Sequence, residues 1–75
     1  MTAQEQLGMR IKYLRQKIKW SQLDLALSAN VNKNYISDLE NGRRNPSLQI
    51  LEKIANAFNI TLEELFRGIE SIPGI

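Results

Sequence analysis

The chain has 75 residues, of which 43% are hydrophobic and 24% charged, with a formal net charge of +2; this fits one small globular domain spanning 1–75 and excludes the disordered and fibrous classes. It contains no cysteine and no histidine, which removes disulfide frameworks, thiolate metal clusters and the nucleophile–histidine triads, so no catalytic, metal or cofactor site is expected. No apolar stretch approaches the ~20 residues that span a bilayer, and no signal-peptide pattern opens the chain, so the expectation is a soluble, cytoplasmic, non-enzymatic domain with no membrane partner.

Leu7, Ile11, Leu14 and Ile18 recur at helical spacing and predict a first helix over residues 4–17 with one apolar stripe. Ser21 with Asp24 three residues later is a capping-box variant and opens a short second helix over 22–28, with Leu23, Ala26 and Leu27 as its buried candidates. Asn30 tolerates the left-handed conformation that ends a helix, and Asn32 is a good N-cap for the next. A third helix is therefore expected from Lys33 to Glu40, stopped by Asn41-Gly42 and followed by the basic turn Arg43-Arg44-Asn45-Pro46. Ser47 caps a fourth helix with Leu48, Leu51, Ile54, Ala55 and Phe58 on one side, and Thr61 with Glu64 opens a brief fifth through Leu65 and Phe66. No segment alternates with the period of a strand. The fold class is all-α, with five helices.

The charge is unevenly spread. Residues 10–44 carry eight basic side chains against three acidic ones, a net +5, whereas residues 45–75 sum to −2. A chain with one basic half is the footprint of a polyanion binder. The third helix sharpens this. At about 100° per residue, Lys33, Asn34, Ser37 and Asp38 centre near 70° and Ile36 and Leu39 near 270°, so one face is anchored while the opposite face presents donors. A lysine can donate to guanine, an asparagine can pair with adenine, and an aspartate can accept from cytosine. Tyr35 borders the core.

Two short helices joined by a tight turn, with a cap and a basic loop after the second, describe a helix-turn-helix at about 21–41. Through Ser21-Gln22-x-x-Leu25-Ala26, Val31, Tyr35-Ile36-Ser37-x-Leu39-Glu40-x-Gly42-x-Arg44-x-Pro46-Ser47, the chain closely resembles the Xre/Cro-like repressor family, which includes the lambdoid phage repressors. The resemblance runs from about Leu7 to Phe66. It implies a five-helix domain that binds double-stranded DNA, acting as a homodimeric transcriptional repressor on a two-fold symmetric operator with helix 33–40 in the major groove. Lys33 and Asn34 match the family's groove-contacting positions, and Gln22 matches a contact to the backbone or outer bases. Asn41, Arg43 and Arg44 look like phosphate contacts, and Asn32, Tyr35, Ser37 and Asp38 complete the expected DNA-binding set. Asn30 and Asn32 replace the family's more usual glycine and serine or threonine, and Asp38 stands where neutral or basic residues are usual.

The resemblance also implies that Arg15 and Glu40 form a partly buried structural salt bridge. Trp20, Leu25, Val31 and Phe58 are expected in or near the core. Leu65, Phe66, Ile69, Ile72 and Ile75 are too many apolar residues for a frayed tail, so residues 67–75 with Leu65 and Phe66 are expected in a dimer interface. Two other readings compete. Adjacent Glu63 and Glu64 suit a capped helix start better than paired catalytic carboxylates. A helix-turn-helix used for protein–protein contact, as in an antitoxin or adaptor, would carry apolar residues where Lys33, Asn34 and Arg43 stand.

Overall fold

The computed structural model describes residues 1–69, and every helix in it starts on a side-chain cap. The elements are α1 (Ala3–Lys17), α2 (Gln22–Ala29), α3 (Lys33–Glu40), α4 (Leu48–Ala57) and α5 (Leu62–Leu65), so the described residues form the expected all-helical fold. Ser21, Asn32, Ser47 and Thr61 each accept from a backbone N–H of the first turn, which satisfies donors the helix itself leaves open. Asp24 and Glu64 close full capping boxes, and so does Glu5 with Thr2 at the start of α1. In that third box the Thr2 backbone N–H and then its hydroxyl hold the Glu5 carboxyl below its ordinary pKa, as Ser21 does for Asp24.

The helix ends share one device. After α1, α2, α3 and α4 a residue with positive φ reverses the chain: Lys19, Asn30, Gly42 and Asn59. In each case the next backbone N–H reaches back five residues, from Trp20 to Arg15 O at 3.0 Å, Val31 to Ala26 O at 2.9 Å, Arg43 to Asp38 O at 2.9 Å and Ile60 to Ala55 O at 3.0 Å. This closure satisfies the last carbonyls and fixes the exit direction of each helix. Asn30 and Gly42 are suited to the left-handed region; Lys19 enters it without a side chain that favours it.

One core gathers Leu7 and Ile11 of α1, Leu25, Ala26 and Ala29 of α2, Ile36 and Leu39 of α3, Leu51, Ile54 and Ala55 of α4, and Leu65 of α5. Trp20, Val31 and Phe58 pack against its edge, with the Trp20 and Phe58 rings stacked at 5.9 Å between centroids. Three expectations need correction. On α2 the buried set is Leu25, Ala26 and Ala29, while Leu23 is 48% exposed and Leu27 72% exposed. An eight-residue helix offered two apolar stripes about 130° apart, and the one with alanines lets α2 approach α3 and α4 closely. On α1 the buried stripe runs through Leu7, Gly8, Ile11 and Arg15, and Ile18 is exposed, because the chain turns away at Lys19. Leu48 likewise lies exposed at the start of α4.

Leu65, expected in a dimer interface, lies in the core instead. It has no exposed surface at all, because it is the one buried residue of α5 and anchors that helix against α4. A side chain spent inside the protomer has nothing to offer a second copy. Phe66 is exposed and Ile69 half-buried, and both line a shallow apolar cavity of about 150 Å³ with Leu7, Pro46 and Leu51. Ile72 and Ile75 lie outside the described residues.

Candidate nucleic-acid interface

The turn between α2 and α3 is built from local chemistry. Asn30 takes φ 55°, ψ 49°, and its own N–H donates to the Ala26 and Leu27 carbonyls. Asn32 then caps α3, its Oδ1 accepting the Asn34 N–H at 2.7 Å. That amide oxygen is committed to the cap. Helix α3 splits as its sequence pattern requires: Ile36 and Leu39 are fully buried, Lys33 and Asn34 are exposed, and Tyr35, Ser37 and Asp38 are half-buried at the margins. The side chains of Lys33, Asn34 and Arg43 make no hydrogen bond or ion pair among the described residues. They form a free, donor-rich edge at the start of α3 and in the loop after it.

The far end of α3 is held from two directions. Arg15 of α1 donates from Nε to Glu40 Oε2 at 2.7 Å and from Nη2 to Glu40 Oε1 at 3.0 Å, and its Nη1 donates to the Trp20 carbonyl at 2.6 Å. The two side chains are 10% and 2% exposed. Hydrogen bonding to the Glu40 carboxylate raises the Arg15 pKa above its ordinary value, outweighing the burial that opposes it. With all three guanidinium nitrogens engaged, Arg15 is a structural cation. Gln22 of α2 completes the clamp, its Nε2 donating to Glu40 Oε1 at 3.2 Å. The glutamine expected at DNA thus has its amide nitrogen turned to the α3 terminus.

Several other expected residues carry internal partners. Asn41 Nδ2 donates to the Ser37 carbonyl at 2.9 Å. Arg44 Nη2 lies 3.4 Å from Asp38 Oδ2, and its guanidinium sits 5.0 Å from the centroid of the Tyr35 ring. Arg10 is drawn to α5, where it donates to the Glu64 carbonyl at 2.8 Å. Arg15 is thus neutralised by Glu40 and Arg10 is half-buried, and the exposed cations between residues 10 and 44 are Lys12, Lys17, Lys19, Lys33, Arg43 and Arg44.

Sequence reasoning missed Gly8, where a Cβ would overlap the Leu39 carbonyl and lie 2.7 Å from that of Glu40. The available signal was a glycine inside the apolar stripe of a helix, since such a residue is costly without a packing reason. It also missed the Tyr35–Arg44–Asp38 cluster and the Gln22–Glu40 bond, neither of which has a local signature.

Residues 11–65 match the model of a family described as helix-turn-helix. The control protein C.MunI of a Mycoplasma species is 45% identical over 64 residues, which cover 84% of this chain and 86% of that protein. The HTH-type transcriptional regulator DdrOP3 of Deinococcus deserti is 41% identical over 61 residues, 81% of this chain. Those residues are 47% of DdrOP3, so the chain spans about half the length of that relative. Among solved structures, C.Esp1396I bound to a 25 base pair operator site superposes with a TM-score of 0.82 at 26% identity, over 92% of this chain and 91% of that one. No helix among the described residues is long and apolar enough to cross a membrane. On the geometry of residues 21–41 and a family match that covers most of its length, the chain belongs to the helix-turn-helix family.

Proposed function

We propose that this chain is a sequence-specific double-stranded-DNA-binding transcriptional regulator, a repressor that binds a two-fold symmetric operator as a homodimer. The observation that carries this reading is the exposed edge of α3. The side chains of Lys33 and Asn34 have no partner among the described residues and stand in its first turn, while Ile36 and Leu39 anchor the opposite side. A helix so mounted enters a major groove with its N-terminal residues against base edges. The fold it shares with an operator-bound controller protein supports the same reading. The role is non-catalytic: it needs positioning and complementary charge, with no bond made or broken.

The test separates positioning from reading. Phosphate contacts add affinity for any duplex, base contacts only for the right one. Each neutralised phosphate contributes about −0.9 to the slope of log K against log salt. Arg43→Ala should remove one such contact per protomer, flattening the slope by roughly 2 in a dimer and leaving the specificity ratio little changed. Asn34→Ala should leave the slope nearly unchanged and lose ~1–3 kcal/mol of discrimination per half-site. Binding of both variants is measured on a duplex selected from a randomised pool and on its scrambled counterpart across a salt series. If Asn34→Ala weakens both duplexes equally, α3 is not the reader, and the protein-contact reading takes its place.

The dimer is carried by Phe66 and Ile69, which leave apolar surface at the rim of the cavity beside Leu7, Pro46 and Leu51. An isologous pairing through this region would place two α3 helices about 34 Å apart, one turn of the duplex. Sedimentation should show a concentration-dependent monomer–dimer equilibrium, weakened by Phe66→Ala. A species that stays monomeric at high micromolar concentration and binds DNA as one copy would contradict the pairing.

A further inference from the structure

Of the two acids on α3, Glu40 is buried against Arg15 and only Asp38 faces outward, its side chain 36% exposed. An unpaired carboxylate there would face the phosphates of any duplex that α3 approached. It is not unpaired. Arg44 reaches back six residues to lie 3.4 Å from its Oδ2, and the face of the same guanidinium lies over the Tyr35 ring at 5.0 Å. The backbone folds the loop into this position, since the Arg43 N–H donates to the carbonyl of Asp38 itself at 2.9 Å. Tyr35 and Asp38 sit about 60° apart on α3 and on its flank, more than a quarter-turn from the centre of the Lys33, Asn34 and Ser37 edge. Arg43, by contrast, has a side chain with no partner among the described residues. The two adjacent arginines are therefore not equivalent.

We propose that Asp38 is a positioning residue that sets DNA affinity through Arg44: with Tyr35 it holds the guanidinium on the flank of α3 and withholds it from the phosphates of any duplex. The inference rests on the DNA-binding reading above. A phosphate contact strengthens binding to every duplex alike, so a cation kept from that contact lowers affinity for specific and non-specific duplexes together without touching base readout. The restraint has the right size. An exposed ion pair and an exposed cation–π contact are each weak, and together they hold Arg44 by a factor of roughly three to thirty. That is enough to suppress chance contacts and too little to strain the fold. In the operator complex the Tyr35–Arg44–Asp38 cluster stays closed and electrically neutral beside the groove.

The test is a double-mutant cycle of Asp38→Asn and Arg44→Gln, read on the selected duplex and on its scrambled counterpart across a salt series. With Arg44 present, Asp38→Asn should raise affinity for the scrambled duplex about threefold per protomer. It should also steepen the salt slope there by up to about 0.9 per protomer. Affinity for the selected duplex should rise by about the same factor, so the specificity ratio holds. In the Arg44→Gln background the same substitution should change neither affinity nor slope. If Asp38→Asn raises affinity for the scrambled duplex equally in both backgrounds, Asp38 acts by direct repulsion and the proposal is overturned; it is also overturned if the substitution has no effect in either. Failure of the parent reading looks different: the unsubstituted protein would then select no duplex at all, and the inference would fall with it.

Discussion

Glu40→Ala is expected to destabilise the fold by about 3–5 kcal/mol, because it strands a buried guanidinium. Arg15 would lose two hydrogen bonds and its one counter-charge among the described residues while staying at a 10% exposed position, and Gln22 Nε2 would lose its acceptor. A domain of this length has a total stability of roughly 4–11 kcal/mol, so the variant should sit close to unfolding at room temperature. Glu63→Ala is the matched control. Glu63 is exposed in the first turn of α5 and makes no side-chain bond among the described residues, the cap carboxylate being Glu64. Its removal should cost no more than a few tenths of a kcal/mol, the range typical of surface changes. Urea unfolding of both variants decides the matter, with Glu40→Gln as a milder probe should the alanine variant not fold. Equal midpoints for Glu40→Ala and Glu63→Ala would mean that the Arg15–Glu40 pair contributes no more than a solvated bridge.

Gly8→Ala should also destabilise, although the same change in most helices stabilises by roughly 0.5–1 kcal/mol. The added methyl would overlap the Leu39 carbonyl oxygen and stand 2.7 Å and 2.9 Å from the oxygen and carbon of the Glu40 carbonyl. These are backbone atoms, and they have little freedom to give. Glu40 is clamped by Arg15, and the turn is closed by the Arg43 N–H on the Asp38 carbonyl. Relief has to come from moving α1 away from α3, which loosens the core that Ile11, Ile36 and Leu39 share. Overpacking of this kind costs typically ~1–3 kcal/mol, and at a backbone contact the upper end is expected. A denaturant midpoint equal to or above that of the unsubstituted protein would show that the two helices separate freely. Gly8 and Arg15 lie about two turns apart on one side of α1, so both substitutions loosen the same thing: the grip of α1 on the C-terminal end of α3. If α3 reads DNA, both should also weaken its discrimination at temperatures where the variants remain folded.

What could be read without coordinates was what depends on neighbours within about four residues. The start of α2 at Ser21 and of α3 at Asn32, the left-handed stop at Asn30 and the turn at Gly42 are each settled by a side chain or a backbone bond a few positions away. The split of α3 into a buried and an exposed side follows from periodicity alone, and the turn-and-helix at 21–41 was legible for the same reason. Questions of partnership were not legible. Two stripes on α2 were both apolar, and only the arrival of α3 and α4 chose Leu25, Ala26 and Ala29 over Leu23 and Leu27. Leu65 reads as an interface residue until α5 folds down on α4 and consumes it. Arg44 reads as a free cation until its loop turns back onto Asp38 and Tyr35. Gly8 reads as a weak spot until α3 is laid against it. Local hydrogen bonds determine where helices begin and end, whereas burial and charge pairing depend on which surfaces meet, and that is decided by residues far apart in the chain.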